Sequence, residues 1–501
     1  MATVTKASFP AIAAAAAILA SNDAVAKPSK RWRDLAALRA LPRALMGGTE
    51  AMREAGRQFC PQHPAELDTS YNLRINSTTL YNGFAETVTT QAGKFFGEPI
   101  VLTDTVPPVL VKLAENIDGQ GRALTPFIAD GTKQAFVDGI SFILVDYPKV
   151  SNGATMADQI AQKARPYWVL IIADNLIGWR TTNVNGQQIL TQVRIRECFW
   201  EDDGEYGERE VERMRVLEPG SWKLYEHRVV GKDARQKEWV LTDEGQTSLG
   251  YIPLVPIYTN RVGYMEGAPP LRTLAELNQE HWISSSEQRR ALSFLRFAML
   301  AVIGVDPDTD IVVAPDKVIT LPNGSSVHYV EHSGAGIAAG ASDLQDIERR
   351  MQSSGMELRV ENSGSVTATA AAIDSAETNA GLKAVAKAIE DAIESALQIT
   401  AEILHLQSGG EVVVNDDFGN TQVPGTVMEL SALRNSQNLS QTTLWKELKR
   451  RSVLDEDFNA NAEQVLLDGE AAQTLEHQQT TLEMQMQTAN ENAPPDKQTG
   501  P

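Results

Sequence analysis

ILTQVRIRECFW (Ile189–Trp200), REVERMRVLE (Arg209–Glu218) and SWKLYEHRVV (Ser221–Val230) are the stretches whose reading decides the fold class. All three are short and rich in β-branched and aromatic residues. In the first, Val193 and Ile195 alternate with Arg194 and Arg196, so a strand here has one dry and one wet face. Asn185-Gly186 and Glu218-Pro219-Gly220 supply the turns between runs. SFILVDY (Ser141–Tyr147), YWVLIIA (Tyr167–Ala173) and KEWVLT (Lys237–Thr242) extend the pattern to either side. Hairpins that follow one another without intervening helices predict an antiparallel meander from Ile140 to Tyr258. They exclude a doubly wound parallel sheet.

Outside this region the period changes to that of helices. Towards the N-terminus, Trp32–Met46, Ser77–Phe96 and Leu124–Val137 read as helical. Leu80, Phe84, Val88 and Phe95 fall on one apolar face, and Gly97 and Pro99 stop the second helix. Towards the C-terminus, Leu271–Phe297 predicts a long helix, and Ala298–Val330 a short β-rich insert with turns at Asp306-Pro307 and Pro322-Asn323-Gly324. A polar helix over Ser342–Leu358 and a loop of small residues over Val360–Ala376 follow. Thr378–Gln407 has the strongest period of all: Leu382, Val385, Ile389, Ala392, Ala396, Ile399, Ile403 and Leu406 recur at spacings of three and four. That is a spine helix about 45 Å long at 1.5 Å per residue. EVVVN (Glu411–Asn415) reads as a strand and Glu429–Leu454 as one or two helices. The far end, acidic and Gln-rich, reads as disordered. The fold class is α+β.

The chain has 501 residues, with 45 Lys and Arg against 65 Asp and Glu, a formal charge of −20. Such a balance argues against a sequence-reading nucleic-acid binder, which needs a dense cationic face. Cys60 and Cys198 make no disulfide framework. Met1–Ala26, with an apolar run from Phe9 to Ala20 and Ala24-Val25-Ala26 as an A-x-A match, reads either as a secretion signal or as an Ala-rich arm. The best remaining apolar run, Phe297–Val305, is too short to span a bilayer.

Constellations with possible chemistry are few. Gly334-x-Gly336-x-x-x-Gly340 sits between a predicted strand and helix, as a dinucleotide loop would, but Asp343 and Asp346 would repel a pyrophosphate and no βαβ series surrounds it. His328 and His332 lack further ligands for a metal. Glu201-Asp202-Asp203 with Glu205 reads as a solvated hairpin tip. No phosphate-binding loop, nucleophile elbow, H-E-x-x-H or C-x-x-C is present, so neither a cofactor nor a catalytic residue is assigned.

Three stretches carry a family resemblance: YNLRINSTTLYNGFAETVTTQAGKFFGEPI (Tyr71–Ile100), LRTLAELNQEHWISSSEQRRALSFLRFAMLAVIGV (Leu271–Val305) and MQSSGMELRVENSGSVTATAAAIDSAETNAGLKAVAKAIEDAIESAL (Met351–Leu397). In their order the chain resembles, over roughly residues 30–460, the portal (head-to-tail connector) proteins of tailed bacteriophages. It is most similar to a branch catalogued largely as an uncharacterised phage domain.

The resemblance implies an elongated subunit with an N-terminal arm (1–29), a helical and antiparallel-β wing (30–264), a first stem helix (265–297), a clip (298–340), a second stem helix (341–359), a tunnel loop (360–376), a long wing helix with a strand (377–426) and a helical crown with an acidic tail (427–501). It implies a homo-oligomeric ring, typically dodecameric, at a capsid vertex of the virion, assembled in the host cytoplasm without a membrane. Double-stranded DNA would pass through during packaging and ejection. Terminase large subunit, head-tail adaptor and major capsid or scaffold protein would be partners. The tunnel loop would present Ser363, Ser365, Thr367, Thr369 and Ser375, with no Lys or Arg between Glu361 and Leu382, and the stem would carry Arg289, Arg290, Arg349 and Arg350. A non-enzymatic conduit is the leading reading. Another head-tail ring component, or a secreted or nucleotide-binding enzyme, is the alternative.

Overall fold

The computed structural model describes residues 23–149, 164–229, 237–295, 299–306, 323–330, 335–356 and 368–416, together with most of 424–473 and a few isolated positions. The chain divides into two units, residues 1–417 and 418–501.

The first unit opens with helices α1 (Lys30–Met46), α2 (Gly48–Ala55), α3 (Asp68–Ser77) and α4 (Gly83–Lys94). A two-residue strand β1 (Val101–Leu102) and helices α5 (Pro108–Ala114) and α6 (Leu124–Asp138) complete this helical part. The helix expected over Ser77–Phe96 is shorter, because the Asn82 side chain accepts the Ala85 N–H at 3.1 Å and caps α4 there. Leu80, Phe84, Val88 and Phe95 are nonetheless all buried. Leu80 reaches the core from the preceding turn, so the apolar face was legible where the helix boundary was not.

Strands β2 (Ile140–Asp146), β3 (Tyr167–Ile172), β4 (Leu176–Val184), β5 (Gln187–Asp203), β6 (Gly207–Glu218), β7 (Ser221–Val229), β8 (Lys237–Gln246) and β9 (Leu254–Tyr258) follow. Strands β4 to β8 form the expected meander, in sequence order and antiparallel throughout. The others depart from a single meander: β9 returns to pair with β2, giving a separate three-stranded sheet of order β3-β2-β9. Six of the seven β2 residues are buried, so both faces of this sheet are covered.

On one face Ile140, Phe142, Leu144 and Ile171 pack with Leu190, Val193, Ile195 and Leu217 from the base of the meander. On the other, Ser141 Oγ donates to the Gly131 carbonyl of α6 at 2.7 Å. At one end of the sheet Arg39, buried on α1, donates to the carbonyls of Asp138 and Gly267, the latter at 2.7 Å. Arg43, one turn on, grips the Asp138 carboxylate with two bonds of 2.8 and 2.9 Å. Burial pulls the Arg39 guanidinium down to about 10, against the opposing pull of Asp138. Gly267 belongs to a small hairpin, β10 (Arg261–Gly263) and β11 (Glu266–Gly267).

The remainder of this unit comprises α7 (Arg272–Leu295), a hairpin of β12 (Met299–Ile303) and β13 (Ser326–Val330), α8 (Ala335–Met351), a π turn (Gln352–Met356), α9 (Ala368–Ile403) and β14 (Val412–Val413). In the second unit, α10 (Pro424–Asn435) and α11 (Gln441–Arg450) resolve the one-or-two-helix expectation as two. Residues 460–470 are helical, and most of the tail expected to be disordered lies outside the described residues.

Candidate functional site

The segment from α7 to α9 is where the sequence resemblance concentrates, and its geometry is that of an antiparallel helical hairpin bearing a β tip. Helices α7 and α8 are joined by side chains in antiparallel order over residues 280–288 and 337–350. Arg350 reaches Glu280 (3.3 Å), His281 Nε2 meets Glu348 (3.2 Å), Ser284 Oγ donates to Asp343 (2.7 Å), and Gln288 Nε2 donates to the Ile337 carbonyl (2.9 Å). A Cβ on Gly340 would collide with the Gln288 amide as it is placed here, so the missing side chain leaves room for that amide. The hairpin turns at β12 and β13, paired in register from Met299↔Val330 to Ile303↔Ser326.

Polar side chains buried on α7 fix the hairpin to the helical part of the unit. Asn278, fully buried, accepts the Phe84 N–H (2.9 Å) and donates to the Tyr81 carbonyl (2.7 Å). Ser286 Oγ receives Arg74 Nη1 at 2.8 Å, and the same nitrogen lies 3.2 Å from the Cys60 sulfur. The other side of that guanidinium makes bonds of 2.9 and 2.8 Å with Glu66. The Arg74 guanidinium holds the Glu66 carboxyl below its ordinary value, against burial, and Glu66 in turn raises Arg74.

The sequence-assigned cations fall along this hairpin. Arg289 is exposed. Arg290 donates to Ser70 Oγ at 3.0 Å. Arg349 pairs with Asp346 at 2.8 Å and Arg350 with Glu280. None of the contacts that join the two helices was singled out in the sequence. Asn278, Ser286 and Gln288 are polar residues in an otherwise amphipathic helix, and nothing in the linear sequence names their partners.

Two boundaries differ from expectation. Helix α8 starts at Ala335, not Ser342, so Gly336 and Gly340 are helical, and Gly334 lies outside the described residues. The alanines of AGIAAGA favour helix enough to absorb both glycines. Helix α9 starts at Ala368, so Thr369 and Ser375 stand on helix and not in the loop expected over Val360–Ala376. There too a run of alanine, read as part of a loop of small residues, is a strong helix former. Ser363, Ser365 and Thr367 lie outside the described residues, as does His332. Helix α9, with 36 residues, is about 54 Å long at 1.5 Å per residue. Its Thr400 hydroxyl receives Trp168 Nε1 from β3 at 2.9 Å, which seats it against the three-stranded sheet.

The other chemical candidates are structural. Glu201 is held by Arg209 and Arg228 at 2.8 and 2.7 Å, and these pairs hold its carboxyl below the ordinary value. His328 lies on β13 beside Ser326. Among the described residues, no group of three or more His, Cys, Asp or Glu is placed to hold a metal ion, and no helix is long and apolar enough to cross a membrane.

Fold and hairpin together define a mixed α+β protein with an inserted helix–β-tip–helix module. Residues 270–404 match the family described as a domain of unknown function, DUF4055. That match spans α7 to α9 and contains the whole of Leu271–Val305 and Met351–Leu397, two of the three stretches that carry the resemblance to the uncharacterised phage branch. No curated protein matches the chain in sequence. Among solved structures, the chain is similar to one described as the neck of a native GTA particle computed with C12 symmetry, at 11% identity and a TM-score of 0.38, covering 74% of this chain and 89% of that one. A second, the neck of an empty GTA particle computed with C6 symmetry, gives 13% identity and a TM-score of 0.39, covering 72% and 87%.

Proposed function

We propose that this chain is a phage head–tail structural protein of the portal type, a ring-forming conduit without catalytic activity. The observation that carries the reading is the order α7, β tip, α8, π turn, α9 across residues 270–404, the segment that matches DUF4055. In this reading α7 and α8 are the two stem helices, β12 and β13 belong to the clip that docks terminase and later the head-tail adaptor, the residues between the π turn and α9 face the channel, and the second unit forms the crown. The ring, typically of about twelve copies, occupies a capsid vertex of the virion after assembly in the host cytoplasm, and double-stranded DNA passes through it.

The electrostatics suit passage without retention. A ring of about twelve chains carries a net charge of roughly −240, which repels a polyanion at range. Glu361–Leu382 holds no Lys or Arg, so it offers hydroxyls and no counterion-releasing contacts. Arg290, Arg349 and Arg350 are engaged by Ser70, Asp346 and Glu280, and a passing phosphate must compete with those partners. Placing lysine at Ser363, Ser365 and Thr367 together should slow DNA packaging severalfold, more so at low salt, when measured by the rate at which prohead DNA becomes nuclease-resistant. An unchanged rate at every salt concentration counts against the channel assignment.

A further inference from the structure

We propose that residues 24–27 are a built-in ligand of the five-stranded sheet, locked in place by Arg194, and that Ala24-Val25-Ala26 is retained in the mature protein and is not a processing site.

Residues Ala24–Ala26 form one turn of 3-10 helix, closed by the Lys27 N–H donating to the Ala24 carbonyl at 3.3 Å. Three carbonyl oxygens of this segment converge on a single nitrogen: Arg194 Nη1 lies 3.1 Å from Ala24 O, 2.9 Å from Val25 O and 2.8 Å from Lys27 O. Charge-assisted bonds of this kind replace the water that a guanidinium and three carbonyls would otherwise hold. Burial, then the neighbouring Arg180, pull the Arg194 guanidinium below its ordinary value, so removing its acceptors would leave a partly desolvated cation without compensation.

The sheet is shaped for this arrangement independently of the segment itself. Gly178 pairs with Arg194 across β4 and β5, and a Cβ there would collide with the guanidinium. Val25 and Ala26 pack with Trp32 against Ile177, Met214 and Trp239. Immediately downstream the Ser29 N–H donates to the Ile177 carbonyl at 2.9 Å, Ser29 Oγ caps α1 at Trp32, and Trp32 Nε1 donates to the Asp174 carbonyl at 3.0 Å. A cut after Ala26 would remove two of the three Arg194 acceptors and the apolar plug over Met214. The same A-x-A pattern that suggests a signal-peptidase site is explained by the need for small residues in a turn pressed against a sheet.

Two measurements on the full-length protein test this. The intact mass of protein produced in bacteria should retain residues 24–27, and a chain beginning at Lys27 overturns the proposal. Under native conditions elastase, which cuts after small residues, should leave Ala24–Ala26 intact in the wild type. In Arg194→Gln it should cut there at least tenfold faster, with cutting elsewhere and the far-UV circular dichroism unchanged. Gly178→Ala, which keeps the arginine but displaces it, should have the same effect. Cutting within Ala24–Ala26 in the wild type, or equal resistance in a folded Arg194→Gln and Gly178→Ala, overturns the lock. If both variants fail to fold, the wild-type digestion still decides whether the segment is held.

Discussion

Glu66 shows how much of this protein rests on single buried pairs. Its carboxylate is held by Arg74, whose side chain is only 2% exposed and which also touches Cys60 and Ser286. A carboxyl whose folded-state pKa is depressed adds stability that is fully present above its unfolded value and is lost as pH falls through the folded one. Glu66, with an ordinary value of 4.5, should therefore make the fold more acid-labile below about pH 4.5. Urea unfolding of Glu66→Gln across pH 3 to 7 should show a weaker acid-side slope than the wild type and a lower plateau at neutral pH. An unchanged slope contradicts the assignment. Little of this was legible beforehand. Arg74 and Ser286 are 212 positions apart, and neither residue type signals a buried partner in a linear chain. The meander residues were legible, because alternation of Val193 and Ile195 with Arg194 and Arg196 is a local property that burial repeats: Val193 and Ile195 are fully buried.

At the scale of elements, α9 acts as more than a spine. Along one row of that helix, at intervals of four, Glu390 accepts the Val414 N–H (3.0 Å), Glu394 the Val412 N–H (3.2 Å) and Gln398 the Gly409 N–H (2.9 Å). The helical step of about 6 Å from Glu390 to Glu394 matches the two-residue step from Val414 to Val412, so these two side chains do what a neighbouring strand would do, and Gln398 extends the row to Gly409. On its far side β14 pairs with β1. Glu390→Ala leaves the buried Val414 N–H without an acceptor and should cost about 1–3 kcal/mol, with the Val412 and Val414 amides losing hydrogen-exchange protection. Glu390→Gln, which keeps an acceptor, should restore most of it. The sequence revealed the long helix through its apolar stripe and EVVVN as a strand, but not that one holds the other, because a carboxylate on the helix rim reads as solvated. Helix starts were the least legible feature. The alanine runs before Ser342 and Thr378 read as small-residue loops because alanine is small as well as a strong helix former, and in the first run the contact of Gln288 with the Ile337 carbonyl adds to the helix propensity. The return of β9 to β2 was hidden too, since an apolar run does not name its partner.

For the whole molecule, the proposed function would have a strongly acidic chain surround a polyanionic cargo without gripping it. The charge of −20 that argues against a sequence-reading DNA binder is compatible with a conduit whose stem cations Arg290, Arg349 and Arg350 have partners, while Arg289 is exposed. The hairpin of α7 and α8 with its β tip and the long α9 were both foreshadowed in the sequence. The most direct measurement is imaging of the purified full-length protein after size-exclusion chromatography. The account predicts closed rings of uniform subunit number with an open central channel wide enough for duplex DNA, about 20 Å or more. A protein that stays monomeric at high concentration, or assembles without a central opening, contradicts it.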